Sequence, residues 1–200
     1  MSHRIITIER EYASGGQEIG TLAAEKLGIP CYGREILEKT AQRENISVDY
    51  IEEMEENPQG SFLYSLYKIS GMSNGSLGKA TAAEKLNADE IETIREIAAE
   101  GPAVFVGRCA AFAIKERKDV LKVFVHANID YRIKRAEEVY KISASDVKSV
   151  LKKYDKKRSN YYRMNFSRDW RDVSNYDLVI DSSVLGTEKA AELIAQCCEK

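Results

Sequence analysis

The stretch that most constrains the fold is an apolar strand that runs into two adjacent glycines and then into an amphipathic helix. Ile5, Ile6 and Ile8 surround Thr7 in residues 4–9, which read as a buried first strand. Tyr12-Ala13-Ser14-Gly15-Gly16 follows, and beyond it Ile19, Leu22, Ala23 and Leu27 recur at spacings of three and four, as on one face of a helix. Gly28 is placed to end that helix, with Pro30 after it. At such a junction the first backbone N–H groups of the helix point at an anion, and the helix dipole adds to the attraction. Glycine permits the positive φ and the close approach that a phosphate cradle needs. Ser14 can add a hydroxyl donor. The competing reading is a plain strand-to-helix turn.

The rest of the chain alternates in the same way. Residues 30–32 predict a short second strand, and residues 35–44 a helix. A helix over 83–100 carries Ile91, Ile94, Ile97 and Ala98 on one stripe, and Gly101-Pro102 breaks it. Residues 103–106 and 120–125 are short apolar strands, separated by an apolar helical turn around Phe112 and Ile114. A helix over 129–139 carries Arg132 and Arg135. Ser143, with Asp146 three residues on, is placed to cap the next helix, which has Val147, Val150, Leu151 and Tyr154 inside and a basic face outside. Residues 176–181 read as the last strand, and Thr187 as the cap of the last helix. Strands alternating with helices predict an α/β fold, a parallel sheet flanked by helices on both faces. Ligands on such sheets lie beyond the carboxyl ends of the strands.

The totals exclude several functions. With 200 residues and 44% hydrophobic composition the chain can build one sizeable core. A net charge of -2 argues against a nucleic-acid binder, although residues 148–163 are basic. No apolar run reaches the length of a membrane span, and the first ten residues do not make a signal peptide; a cytoplasmic protein is expected. Cys31, Cys109, Cys197 and Cys198 form no CxxC pair and read as buried reduced thiols, and His3 and His126 are far apart, so no metal ligand set is assigned.

The glycine turn departs from the GxxxxGK[ST] pattern. Its first glycine is replaced by Arg10. The lysine position holds Gly16 if Gly15 is the last motif glycine, or Gln17 if Gly16 is, and no Ser or Thr follows.

Taken in order, the segments from Thr7 to Gly20, from Pro30 to Leu37, Val106-Gly107-Arg108-Cys109-Ala110, Val123-Phe124-Val125-His126-Ala127 with Arg132 and Arg135, Asp155-Lys156-Lys157-Arg158 with Tyr161 and Tyr162, and Trp170 with Tyr176-Asp177-Leu178-Val179-Ile180-Asp181 resemble the cytidylate kinase-like family. The resemblance covers most of the chain apart from residues 45–82. It implies a P-loop, nucleoside monophosphate kinase-like domain: a core of residues 1–44, 83–142 and 174–200, a helical insertion and acceptor region at 45–82 that holds any mobile cover, and a lid at 143–173. It implies ATP with magnesium as donor, and cytidylate or a related monophosphate as acceptor. By the same resemblance Ser14, Gly15, Gly16, Gln17 and Glu18 cradle the donor and Arg132 and Arg135 flank it. Arg108 and Lys39 hold the acceptor phosphate, with Arg163 beside them. Arg158, with Asp155, brings the lid's charge to the transferring phosphoryl group, where a planar guanidinium suits phosphate oxygens.

Each assignment has a structural alternative: salt bridges for Arg108, a solvated helix face for Lys39, Arg158 and Arg163, and pairing with Glu138 for Arg132 and Arg135. Tyr161, Tyr162 and Trp170 can stack on a base or pack in a core, and Glu9 and Glu11 can reach magnesium through water. Cys109 stands where the family's cytidylate kinases carry an aspartate that helps to read cytosine. Two functions follow: a kinase of a nucleoside monophosphate or other small phosphorylated acceptor, and a nucleotide-binding sensor or partner module with little or no catalysis.

Overall fold

The computed structural model describes residues 4–44, 47 and 82–198. The insertion and cover expected over 45–82 fall, apart from Ser47 and Ala82, outside the described residues. The chain divides into two compact units, Met1–Gly33 with Ile97–Lys200, and Arg34–Glu96.

The first unit holds a five-stranded parallel sheet in the order β2-β3-β1-β4-β5. Its strands are β1 (Ile5–Arg10), β2 (Cys31–Tyr32), β3 (Ala103–Val106), β4 (Val120–His126) and β5 (Leu178–Asp181). Helix α1 (Gly16–Leu27) follows β1 and closes at Gly28. The long helix α3 (Ala82–Glu100) leads to β3, and a single turn, α4 (Ala110–Ala113), follows β3. Helices α5 (Ile129–Glu138) and α6 (Val147–Phe166) follow β4, and α7 (Ser182–Leu185) and α8 (Thr187–Cys198) close the unit.

Alternation along the strands builds a core on each face. Ile6 and Ile8 of β1, Val104 and Val106 of β3, and Val123 and Val125 of β4 pack with Ile19 and Ala23 of α1 and Ile194 of α8. Phe124 points the other way, to Cys109, Tyr162 and Trp170. Each fully buried branched side chain contributes about 1.5–3 kcal/mol to holding these layers. Because β1 lies between β3 and β4, the turns that leave β1 and β3 emerge side by side, in register from Ile8 opposite Val106.

The second unit contains α2 (Glu35–Glu44) and most of α3. Ile36, Leu37 and Ala41 are buried, Thr40 Oγ1 and Thr93 Oγ1 lie 3.3 Å apart, and Arg43 pairs with Glu96. Lys39 is exposed on α2.

Several boundaries differ from the sequence reading, three of them at side chains drawn into other contacts. Helix α6 begins at Val147 with Asp146 in the cap position, and the Ser143 hydroxyl donates to Asp146 Oδ2 at 2.6 Å instead of capping. Thr187 is the first residue of α8, because its hydroxyl is drawn to the Glu18 carboxylate at 2.7 Å. Strand β5 begins at Leu178, since Tyr176 turns its ring onto Phe124 and donates its hydroxyl to the Trp170 carbonyl. Among the described residues no helix is long and apolar enough to cross a membrane.

Candidate functional site

The turn after β1 is held by its own backbone. Glu11 N donates to Val125 O of β4 at 3.0 Å, Ser14 N returns to Glu11 O at 3.3 Å, and Ala13 and Gly15 take positive φ of 60° and 83°. Ser14 is fully buried; its hydroxyl donates to Glu11 O at 2.9 Å, and its carbonyl accepts from Ser182 Oγ at 2.6 Å. The hydroxyl expected to meet a ligand is therefore used inside the turn. Gly15 provides no side-chain cap for the first N–H groups of α1, the kind of helix start at which anions bind.

Glu18 and Gln17 lie on the exposed first turn of α1. The Glu18 carboxylate accepts from Thr187 and from Arg135; burial works against its charge, but these two bonds prevail and hold it below its usual range. Arg135 also lies against Gly15, and its Nε is buried without a hydrogen-bond partner.

Further arginines gather at the carboxyl end of the sheet. Arg10 ends β1, and Arg108 lies just beyond β3. Arg158, on α6, reaches across to donate from Nη1 to the Arg10 carbonyl at 2.9 Å and lies 5.4 Å over the Tyr12 ring. Burial lowers the pKa of Arg158, and burial with repulsion from Arg158 and Arg108 lowers that of Arg10 to about 9. With a pKa of about 9, Arg10 still carries its proton at neutral pH. For Arg158 the cause is burial alone, since Asp155 and Glu9 favour its charge; for Arg10 the repulsion from Arg158 and Arg108 adds to burial, and an anion would relieve it. The turn after β3 holds three successive positive φ values, at Gly107, Arg108 and Cys109. For the latter two this conformation costs on the order of 1–3 kcal/mol each, and such strain clusters at functional sites.

Glu9 is one of the buried carboxyls of this region. Burial pushes its pKa up, against the pull of Arg10 and Arg158. A raised folded-state pKa means that the folded chain keeps this proton above pH 4.5, and that stability is lost as pH rises through the folded value. Glu9→Gln is expected to gain stability relative to the parent from pH 4.5 upward and to level off above the folded pKa. Urea denaturation across that range tests this, and a pH-independent difference would refute it.

Arg132, which the resemblance placed beside the donor, has its guanidinium engaged within the protein. It is buried, with Nε donating to Tyr12 O at 2.8 Å, Nη1 3.1 Å from Glu11 Oε2 and Nη2 2.6 Å from Asp155 Oδ2. Asp155 Oδ1 accepts from Tyr12 N at 2.8 Å, and Arg171 reaches Glu11 at 2.8 Å and Asp155 at 3.4 Å. These charges tie α5, α6 and the segment after α6 to the turn. They also occupy Glu11, which the sequence had offered to magnesium. The part of Arg171 had no signal in the sequence beyond its place after Trp170.

Arg163 is exposed on α6, where it bonds Asn160 at 2.9 Å. Tyr162 and Trp170 are buried among Phe124, Phe166 and Tyr176, so the packing reading of these aromatics holds. No grouping of His, Cys, Asp and Glu able to hold a metal ion is found among the described residues.

A profile of the cytidylate kinase-like family matches residues 5–184, and it spans both the glycine turn and the Asp155–Arg158 segment. The chain belongs to the cytidylate kinase-like family. A cytidylate kinase of Methanopyrus kandleri is 29% identical over 97 residues, which is 44% of this chain and 50% of that protein, so the match spans half the length of the curated relative. Among solved structures, an uncharacterized protein from Eubacterium ventriosum superposes with a TM-score of 0.72 at 22% identity, covering 98% of each chain. A shikimate kinase from Acinetobacter baumannii in complex with shikimate gives 0.54 at 12% identity, over 96% of this chain and 91% of that one. A gluconokinase from Sinorhizobium meliloti gives 0.52 at 13%, over 100% and 96%. The fold of this family member is that of the P-loop kinases.

Proposed function

We propose that this chain transfers a phosphoryl group from ATP to a nucleoside monophosphate. The observation that carries the reading is the gathering of Arg10, Arg108 and Arg158 beside the uncapped start of α1. Phosphoryl transfer asks little covalent chemistry of a protein; it asks for position and for positive charge on the phosphates. Gly15, Gly16 and the first N–H groups of α1 take the donor phosphates, with Arg135 against Gly15. Arg108 holds the acceptor phosphate. Arg158 stabilises charge on the group in flight. Asp155, whose oxygens are engaged by Tyr12, Arg132 and Arg171, positions the turn and does not touch substrate.

The phosphates of ATP fit the residues present. A resident magnesium ion does not: Gln17 offers no hydroxyl, Glu11 is paired with two arginines, and burial favours the protonated form of Glu9. Magnesium would arrive on the triphosphate, as it commonly does at such sites. For Lys39 the acceptor role rests on the family resemblance alone, as it does for Arg163.

The missing motif lysine favours a second reading, a nucleotide-binding module with little catalysis. ADP formation by the purified chain with Mg-ATP and a panel of monophosphates, CMP and dCMP among them, separates the two. The kinase reading expects acceptor-dependent turnover that is lost in Arg108→Ala. Nucleotide binding without turnover on any acceptor would leave the module.

A further inference from the structure

In the GxxxxGK[ST] pattern the lysine follows the last glycine, and the first position is glycine. In this chain Arg10 stands at the first position and Gly16 at the lysine position when Gly15 is the last glycine. These two positions meet in space. A Cβ on Gly16 would lie 2.5 Å from Arg10 Cβ and 2.7 Å from Arg10 Cγ. The Cβ is fixed by the backbone and cannot swing away, so an arginine at 10 excludes any side chain at 16.

The far end of the same arginine lies against a second glycine. Gly107 has a φ of 80°, and a Cβ there would overlap Arg10 Nη1. The stem of Arg10 thus crosses Gly16 at the start of α1, and its guanidinium lies on Gly107 at the end of β3. This path carries the charge past the helix start to the neighbouring turn after β3, beside the place at which a phosphate would be held.

We propose that Arg10 takes the part of the absent lysine, supplying the cradle's cation from the first position of the turn, with Gly16 and Gly107 forming the channel in which it lies. The inference rests on the reading of this turn as a phosphate site, and not on turnover. Burial and the neighbouring Arg158 and Arg108 disfavour its charge, and an anion beside it would relieve both. Arginine and lysine would then be alternative occupants of one space, and the two positions would exchange together.

The test is isothermal titration of the full chain with tripolyphosphate, and with ATP in EDTA, while melting followed by Trp170 fluorescence reports folding. Arg10→Ala is expected to weaken tripolyphosphate binding at least tenfold, and Arg10→Lys to retain part of it. Gly107→Ala should also weaken it, by displacing the guanidinium. Gly16→Lys alone should lose binding or fold, because Arg10 fills its space. The double substitution Arg10→Gly with Gly16→Lys should recover binding to within about threefold of the parent.

Parent-like binding by Arg10→Ala would overturn the proposal. So would a folded double variant that binds no better than Arg10→Ala. Should the alanine variant unfold, Arg10→Gln and Arg10→Lys keep the stem; loss in the first but not the second supports the proposal, and equal binding refutes it. Binding through Arg10 without turnover on any acceptor sinks the kinase reading and leaves this one standing. Turnover and binding untouched by Arg10→Ala do the reverse.

Discussion

Replacing Arg158 by alanine is expected to lower kcat with the acceptor monophosphate by about a thousandfold or more, with KM for ATP changed only a few-fold. Arg158 reaches the turn from α6, held by the Arg10 carbonyl at 2.9 Å and by the Tyr12 ring beneath it. A charge delivered from outside the cradle acts on what develops during transfer, so its loss falls on kcat more than on ground-state binding. Arg158→Lys should recover only a small part, because an ammonium cannot span two phosphate oxygens. Stability should hardly change. Burial works against the Arg158 charge while Asp155 and Glu9 favour it, so removing the side chain takes away a cost along with its contacts. Steady-state kinetics beside a thermal melt tests both halves. An unchanged kcat would remove Arg158 from the chemistry, and a large drop in melting temperature would make it a structural residue.

The sheet could be read from the sequence because the signals there are local and repeated. Ile5, Ile6 and Ile8 before a double glycine, and Val104 to Val106 after Gly101-Pro102, declare strands without knowledge of their neighbours. The site could be read only in part. Arg108 and Arg158 were visible as arginines after a strand and on a basic helix. That Arg132 would instead be buried between Glu11 and Asp155, 121 and 23 residues away in sequence, depends on how α5 and α6 pack across the turn, and helical spacing does not report it. Ser14 misled for a similar reason: a hydroxyl in a glycine turn suits a phosphate and a carbonyl equally, and here the Glu11 carbonyl takes it. Arg10 was legible as a departure from a motif. Its meaning emerged only when Gly16 and Gly107 proved to be the surfaces it lies on.

Arg132→Met should destabilise the chain by about 3–5 kcal/mol, the usual cost of leaving buried carboxylates without their cation. The side chains of Arg132, Glu11 and Asp155 are 6%, 10% and 12% exposed, so water cannot replace what the guanidinium supplies. Methionine keeps the length of the stem and removes only the charge and its donors, so the effect is electrostatic and not a cavity. Against a total stability of about 5–15 kcal/mol this is a large share. Arg171 touches the same two carboxylates but is 58% exposed, and Arg171→Ala should cost no more than about 1 kcal/mol. Urea denaturation of both variants makes the comparison, and an Arg132→Met loss as small as that of Arg171→Ala would show the network to be incidental. The backbone bonds sharpen the expectation further. Tyr12 is gripped from both sides, its carbonyl by Arg132 and its N–H by Asp155, so the substitution that weakens the fold also loosens the turn proposed to hold the phosphates. Tripolyphosphate affinity should therefore fall in Arg132→Met even at temperatures where the chain remains folded, while Arg171→Ala leaves it unchanged.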